Sequence, residues 1–317
     1  MAHIFNLGQI KSACQNLNFM DSIEAGFAAY SRGEVVVPPV GELSFEAPPG
    51  DTHIKYGYIR ESDSFVIKIA SGFYDNPKHG LPSNSGLMLV FSQKTGVLQA
   101  VLLDEGYLTD VRTAVAGQIA AKYLAPSRIS AIGVIGTGIQ ARMQVSYLKQ
   151  LTSCRKVVAW GRSLSGLSAY REDMEKDGFQ VETTNDIAEV ADSCNLLITA
   201  TPSQRPLLLE KMIRSGTHIT AMGSDTPLKQ ELEPGILRKA DLVVADSISQ
   251  CLERGEISKA LAAECLTADQ VVELGSIISG VVAGRSSDKQ TTVIDLTGVA
   301  VQDLQVAKAV CNELIAS

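Results

Sequence analysis

The rhythm of apolar and polar positions changes once along the chain, near Ile129. Before that point, residues 64–70 (SFVIKIA), 87–92 (LMLVFS) and 97–103 (VLQAVLL) are short β-branched or apolar runs. Gly, Pro, Asn and a Lys-Thr-Gly turn separate them, a punctuation that predicts antiparallel strands. Residues 109–125 (TDVRTAVAGQIAAKYLA) are Ala-rich and apolar at helical spacing, which predicts a helix that Pro126 ends. From Ile129 strand-like and helix-like segments alternate: ISAIGVI, IQARMQVSYLKQL, KVVAW, LSAYREDMEKDG, IAEVADS, NLLITAT, then THITAMG and ADLVVAD. Parallel strands need long crossovers, so this alternation predicts a parallel sheet wound with helices. TTVIDLTG (291–298) adds a strand, and VQDLQVAKAVCNELIA (301–316) a closing amphipathic helix.

A chain of 317 residues has room for two domains. With 45% hydrophobic and 20% charged residues and a net charge of −7, it has the balance of a soluble globular protein. Neither nucleic acid nor an anionic membrane is expected as a partner. The first residues, MAHIFNLGQIKSACQNLNF, lack the basic start, apolar run and cleavage site of a signal peptide, and no apolar stretch reaches the about 18 residues of a membrane span. A cytoplasmic location is expected. The six cysteines are scattered without a C-x-x-C pair, and the four histidines are isolated. Reduced, mostly buried thiols are expected, and no metal site.

The stretch GVIGTGIQAR (133–142) follows an apolar strand and opens a helix. That is the context a dinucleotide loop requires: Gly136 permits the tight turn, Gly138 lets the backbone approach a pyrophosphate, and Ala141 allows close helix–strand packing. After the next strand, KVVAW, an acid would hold the ribose 2′-hydroxyl of NAD, but Gly161-Arg162-Ser163 stands there. A guanidinium fork and a hydroxyl suit a 2′-phosphate, so NADP(H) is expected ahead of NAD(H).

These segments resemble the ornithine cyclodeaminase/mu-crystallin family. The likeness runs from about Lys68 to Asp303 and is carried, in order, by VIKIASGF, GLPSNSGLMLVF, GYLTDVRTAVAGQIAAKYLA, VIGTGIQA, GSDTPLKQELEP, ADSISQCLERGEI and VIDLTGVAVQD. It implies an α/β protein with a Rossmann-type doubly wound parallel-sheet domain inserted in an α+β domain. Residues 1–115 and 295–317 would form the substrate-binding and dimerisation domain of a homodimer, and 116–294 the dinucleotide-binding domain. It implies Lys68 and Arg112 as substrate-binding cations with Thr297 beside them, and Asp225 with Lys68 as catalytic groups. It implies Ser83, Arg112, Thr113, Gly136, Gly138, Ile139, Gln140, Arg162, Ser163, Thr201, Met222 and Lys229 as the cofactor-binding set. One departure stands out: cyclodeaminases of the family carry a further carboxylate-binding arginine in the N-terminal stretch, where VVVPPVGELSF has none and the nearest cation downstream is Lys55.

The ordinary readings are a solvent-facing Lys68 on a half-buried strand, an Arg112 paired with Asp110, Asp225 as a turn residue, and Asp303 and Lys308 as surface charges. The functional reading is an NAD(P)H-dependent reductase of small α-imino acids, cyclic ones such as Δ1-pyrroline-2-carboxylate foremost, with Asp225 protonating the nitrogen. One alternative is an ornithine cyclodeaminase with tightly held NAD+, consuming no net reductant. Another is a non-catalytic NADPH-dependent small-molecule binding protein, against which the acid at Asp225 argues.

Overall fold

A computed structural model describes residues 2–73 and 75–316. The chain divides into two compact units, Met1–Arg112 with Val299–Ser317, and Thr113–Gly298.

The first unit is built on an antiparallel sheet. Its strands are β1 (His3–Phe5), β2 (Val35–Val36), β3 (Gly41–Glu46), β4 (Pro49–Ile59), β5 (Ser64–Phe73), β6 (Asn84–Ser92) and β7 (Leu98–Leu102), with helices α1 (Leu7–Cys14) and α2 (Met20–Ser31) near the start. The order is β1-β7-β6-β5-β4-β2, with β3 on β4; β1 pairs with β7 in parallel and the other pairs are antiparallel. The three strands expected at 64–70, 87–92 and 97–103 are β5, β6 and β7. The longest strand, β4, was not anticipated, because its Pro49-Gly50 start reads as a turn and its alternation is diluted by Asp51, His53 and Lys55.

Strand alternation sorts the sheet into two faces. One carries Val66, Met88, Val90, Ala100 and Leu102, all at most 2% exposed, and packs on the closing helix. The other carries Leu43, Phe45, Ile54, Tyr56, Tyr58, Phe65, Ile67, Leu89 and Phe91, in cross-strand register and only partly covered. Within it Phe65 and Phe91 stack at 4.9 Å.

The division between units falls within α3 (Tyr107–Leu124), the expected Ala-rich helix. The second unit follows the expected alternation: β8 (Ile132–Ile135), α4 (Ile139–Leu148), β9 (Lys156–Trp160), α5 (Leu164–Lys176), β10 (Gln180–Thr184), α6 (Ile187–Ser193), β11 (Leu196–Thr199), β12 (Gln204–Leu208), β13 (His218–Ala221), β14 (Gln230–Leu232), α7 (Pro234–Lys239), β15 (Leu242–Ala245), α8 (Ile248–Cys251), α9 (Gly255–Ala262), β16 (Val271–Glu273), α10 (Leu274–Ile278) and β17 (Thr292–Asp295). Eight strands form one parallel sheet in the order β10-β9-β8-β11-β13-β17-β15-β16; β12 and β14 form a separate pair. The strand order reverses at β8, the topological switch point where dinucleotide-binding folds place their ligand. The closing helix of the chain, α11 (Ala300–Ala316), belongs to the first unit.

All six cysteines are free; Cys194, Cys251 and Cys311 are buried, and Cys14, Cys154 and Cys265 are half-buried. Among the described residues no helix is long and apolar enough to cross a membrane.

Candidate functional site

In the first unit, β5 carries Lys68 to the sheet face covered by α11, where it is 2% exposed. The solvent-facing reading of Lys68 is therefore corrected: alternation places it with Val66, on the buried side. Asp303 on α11 is likewise not a surface charge. Helical spacing with Ala300, Val306, Ala307 and Val310 puts it on the buried stripe, 1% exposed. Its carboxylate lies 3.2 Å from Lys68 Nζ and 3.1 Å from Arg112 Nε. Both are ion-pair contacts without hydrogen-bond alignment, since the Asp303 oxygens and Arg112 Nε meet no hydrogen-bond partner. Arg112 NH1 donates to Gln302 Oε1 at 2.8 Å, so Arg112 is held by Asp303 and Gln302. Lys308 is no free surface charge either, as its ammonium donates to Ser62 Oγ.

Burial lowers the pKa of Lys68 to about 8; Arg112 adds to the effect and Asp303 opposes it. Two buried cations share the Asp303 carboxylate, and the Asp104 carboxyl adds a smaller attraction to Lys68. Asp104, 1% exposed, accepts from the backbone N–H of Leu108, and burial raises its pKa. Lys55, 8% exposed, is the direct cross-strand neighbour of Lys68. Ser83 sits half-buried just before β6, its carbonyl accepting from Phe73 N.

In the second unit, the loop after β8 tests whether a dinucleotide fits. Gly136 has a φ of +128°, and a Cβ there would meet the Ala200 carbonyl oxygen at 2.6 Å. Gly138 begins α4 with no side chain capping the helix amides, and a Cβ on it would meet nothing within 4 Å. Ala141 is fully buried beneath. Uncapped amides at a helix start beside open space are a pyrophosphate site, so the residues fit the group. Ile139 is 56% exposed on the first turn. Gln140 accepts from Gln144 Nε2, which also donates to the Thr113 carbonyl at 2.8 Å. After β9, Ser163 caps α5 by accepting from Gly166 N, while Arg162 is exposed and has no hydrogen bond or ion pair among the described residues.

The loops after β11 and β13 carry Thr201, Met222 and Asp225. Sequence reasoning did not identify what holds them. Glu231, fully buried on β14, accepts from Thr201 N at 2.6 Å and Thr201 Oγ1 at 2.7 Å with one oxygen, and from Gly223 N at 2.9 Å with the other. Glu256, also buried, accepts from the backbone N–H of Glu231 and Leu232. Burial raises the pKa of Glu231 to about 7 and of Glu256 to about 8, against the hydrogen bonds that favour their charged forms. Met222 is 8% exposed. Asp225 is bridged to Lys229 at 2.6 Å, with side-chain exposures of 44% and 16% respectively. The bridge engages one Asp225 oxygen with the Lys229 ammonium. Thr297 is 1% exposed; its hydroxyl donates to Asp246 Oδ1 and accepts from Gln250 Nε2, so it braces the end of β17 from inside.

Known proteins share this fold. The chain is 32% identical over 292 residues to iminosuccinate reductase of Paracoccus denitrificans, covering 92% of this chain and 89% of that one. Similar solved structures include an archaeal alanine dehydrogenase dimer with bound NAD, at a TM-score of 0.90 and 32% identity over 99% of this chain and 96% of that one. Another is the Δ1-pyrroline-2-carboxylate reductase of Thermococcus litoralis with NADH and L-proline, at a TM-score of 0.92 and 26% identity over 99% and 98%. The sequence model of the ornithine cyclodeaminase/mu-crystallin family matches residues 4–317, and the chain belongs to that family.

Proposed function

We propose that this protein is an NAD(P)H-dependent reductase of small α-imino acids. The observation that carries the reading is the buried Lys68–Asp303–Arg112 cluster, two cations on one carboxylate, which is built to receive a second carboxylate. The glycine loop and α4 start would hold the pyrophosphate of the cofactor, with Thr201, Met222 and the Gly223–Asp225 loop at the neighbouring strand ends. A bound reduced nicotinamide would supply the hydride for the imine carbon, with the C=N π pair passing to the nitrogen as it is protonated.

The chain's own residues do the rest. Lys68 and Arg112 hold the carboxylate and thereby orient the imine carbon. Two groups are suited to the proton. Asp225 lies beyond the carboxyl end of β13, the edge of a parallel sheet where ligands bind. Lys68 has the basicity for the task, since a pKa of about 8 lets an ammonium donate near neutral pH. The absence of an acid after β9, with Arg162 unengaged there, supports NADPH ahead of NADH.

The half-covered apolar sheet face supports a homodimer. Leu43 and Phe45 are 56% and 43% exposed on it, Tyr56 and Tyr58 37% each, and a similar alanine dehydrogenase is a dimer. Oxidation of NADPH and NADH should be followed spectrophotometrically, by loss of the reduced nicotinamide, against linear and cyclic α-imino acids, with ornithine as the control that consumes no reductant. Proline and ammonia from ornithine, with no imino acid reduced, would replace this reading by cyclodeamination.

A further inference from the structure

Resting on the dinucleotide site of that reading, we propose that Glu231 is a positioning residue for the cofactor: its ionised carboxylate clamps the loops after β11 and β13 against the glycine loop, so that dinucleotide binding expels a proton from it. Three loops meet at Thr201. A Cβ on Gly136 would come within 2.6 Å of the Ala200 carbonyl oxygen and 3.3 Å of Thr201 Cγ2, and a Cβ on Gly223 within 2.2 Å of the Thr201 carbonyl oxygen. Ala200 N also donates to the Ile135 carbonyl at 2.9 Å, on the strand that leads into the glycine loop. The Thr201 segment is therefore wedged between two glycines, one of which belongs to the pyrophosphate loop. At such contact distances Thr201 and Gly136 cannot move independently.

Glu231 fixes Thr201 in that wedge. Its Oε1 receives Thr201 N and Oγ1, and its Oε2 receives Gly223 N, so in every contact the carboxylate is the acceptor. A proton forces a choice. On Oε2 it would face the Gly223 N–H, donor against donor; on Oε1 it could pair with the Thr201 hydroxyl, but that oxygen would then accept poorly from Thr201 N. Burial favours the neutral form all the same, and raises the Glu231 pKa to about 7. The two demands balance near neutrality, because the neutral carboxyl is easier to bury and only the ionised one closes both loops. On α9, Glu256 accepts Glu231 N and Leu232 N, and the Glu231 charge raises its pKa in turn. Behind it the buried Asp295 of β17 accepts Ile257 N. Arg254, just before α9, donates to the Asp225 carbonyl, Lys259 donates to the Pro227 carbonyl at 2.6 Å, and Lys229 pairs with Asp225 at 2.6 Å. These cations engage the Asp225–Lys229 loop, and Arg205 on β12 is exposed. Hydrogen bonds from Thr201 and Gly223 stabilise the Glu231 charge itself.

The test is calorimetric titration of the full-length protein with NAD+ in buffers of different ionisation enthalpy; NADP+ is avoided because a 2′-phosphate itself titrates at about pH 6. If only the ionised form closes the loops, affinity follows the ionised fraction. With a pKa of about 7 that fraction runs from about nine-tenths at pH 8 to about one-tenth at pH 6. NAD+ should therefore bind roughly tenfold more weakly at the acid end of that range and release close to one proton there. Glu231→Gln, which carries a donor at every pH, should bind at or below the parent's acid affinity, varying less than about twofold with pH and releasing no proton. Glu231→Asp keeps the charge on a shorter stem and should retain the pH dependence at lower affinity. A merely structural brace would weaken binding in the variants without any proton exchange in the parent. Binding of NAD+ to the parent with no proton released at the acid end would overturn the proposal, whether or not the variants fold. Proton release that persists in Glu231→Gln would overturn it as well and assign the linkage to Glu256. No binding at any pH would overturn the cofactor site and this role of Glu231 together.

Discussion

Replacing Glu231 by Gln tests whether one buried carboxyl organises the strand-end loops. The side chain keeps its shape but exchanges one acceptor oxygen for a donor NH2. In the parent one oxygen receives Thr201 N and Oγ1, and the other receives Gly223 N. The amide can satisfy one side only, so a backbone N–H is left facing a donor. Losing one hydrogen bond and stranding one buried donor costs about 2–4 kcal/mol. Near pH 5 the neutral carboxyl also carries a donor on one side, as the amide does, so this cost is an upper bound there.

The pH dependence sharpens the test. Burial raises the folded pKa of Glu231 from 4.5 to about 7. Between those values the folded state binds the proton that the unfolded state has released, so the stability Glu231 contributes is full below about pH 4.5 and is lost as pH rises through 7. The loss is of order 3 kcal/mol at about 1.4 kcal/mol per pH unit. Glu256 titrates in the same direction and His218, lowered to about 3 by burial, in the opposite one. Both remain in the variant and largely cancel in the difference. Urea unfolding of both proteins at several pH values from 5 to 8 should therefore show Glu231→Gln gaining on the parent by about 2–3 kcal/mol as pH rises. A penalty constant across that range would refute the reasoning, because Glu231 would then be ionised throughout.

Three further outcomes follow from the geometry. Asp303→Asn strands Lys68 and Arg112 without their shared counter-charge and should lower unfolding free energy by about 3–5 kcal/mol; a loss below about 1 kcal/mol would mean that another group neutralises the pair. Arg162→Ala should remove about 1–3 kcal/mol of NADPH-over-NADH preference in fluorescence titration, and equal affinities in the parent would remove the premise. Tyr56→Glu with Tyr58→Glu puts charge into the apolar sheet face and should turn a dimer into a monomer of about half its sedimenting mass; a parent that already sediments as 33.8 kDa would contradict the dimer.

Much of the second unit was legible because each buried parallel strand is a continuous apolar run and each crossover helix has its own period, so local signals agree with the fold. The loop at Gly136 and Gly138 was legible for a related reason: its backbone demands are met by residue types that few other positions need. The strand β4 was obscured by the polar residues that make it interesting, since Asp51, His53 and Lys55 break the apolar alternation on the face that bears them. Asp303 was misread as a surface charge although helical spacing with Val306 and Val310 could have placed it inside. Glu231 and Glu256 carry no local signal of burial; their partners are backbone amides from distant loops, and only the closed fold brings them together. The same holds for the cross-strand opposition of Lys55 and Lys68, which depends on a register that neither strand specifies alone.

The proton donor can be identified from the alkaline limb of the pH–rate profile. If the Lys68 ammonium is needed, to hold the carboxylate or to protonate the nitrogen, kcat/KM for imine reduction should fall as pH rises through about 8, where burial places its pKa. Lys68→Arg keeps a cation that does not deprotonate in proteins, so the limb should move to higher pH even if the larger side chain lowers the rate. Asp225→Asn should leave the limb in place, and should lower turnover about 10²- to 10⁴-fold only if Asp225 is the general acid. The position of the limb and the size of the rate are independent readings, which keeps the two candidates apart. A limb that shifts with Asp225→Asn would transfer the proton to Asp225 and require its pair with Lys229 to open during turnover. A limb unmoved by either variant belongs to the substrate nitrogen itself, and Lys68 would then be a positioning group alone.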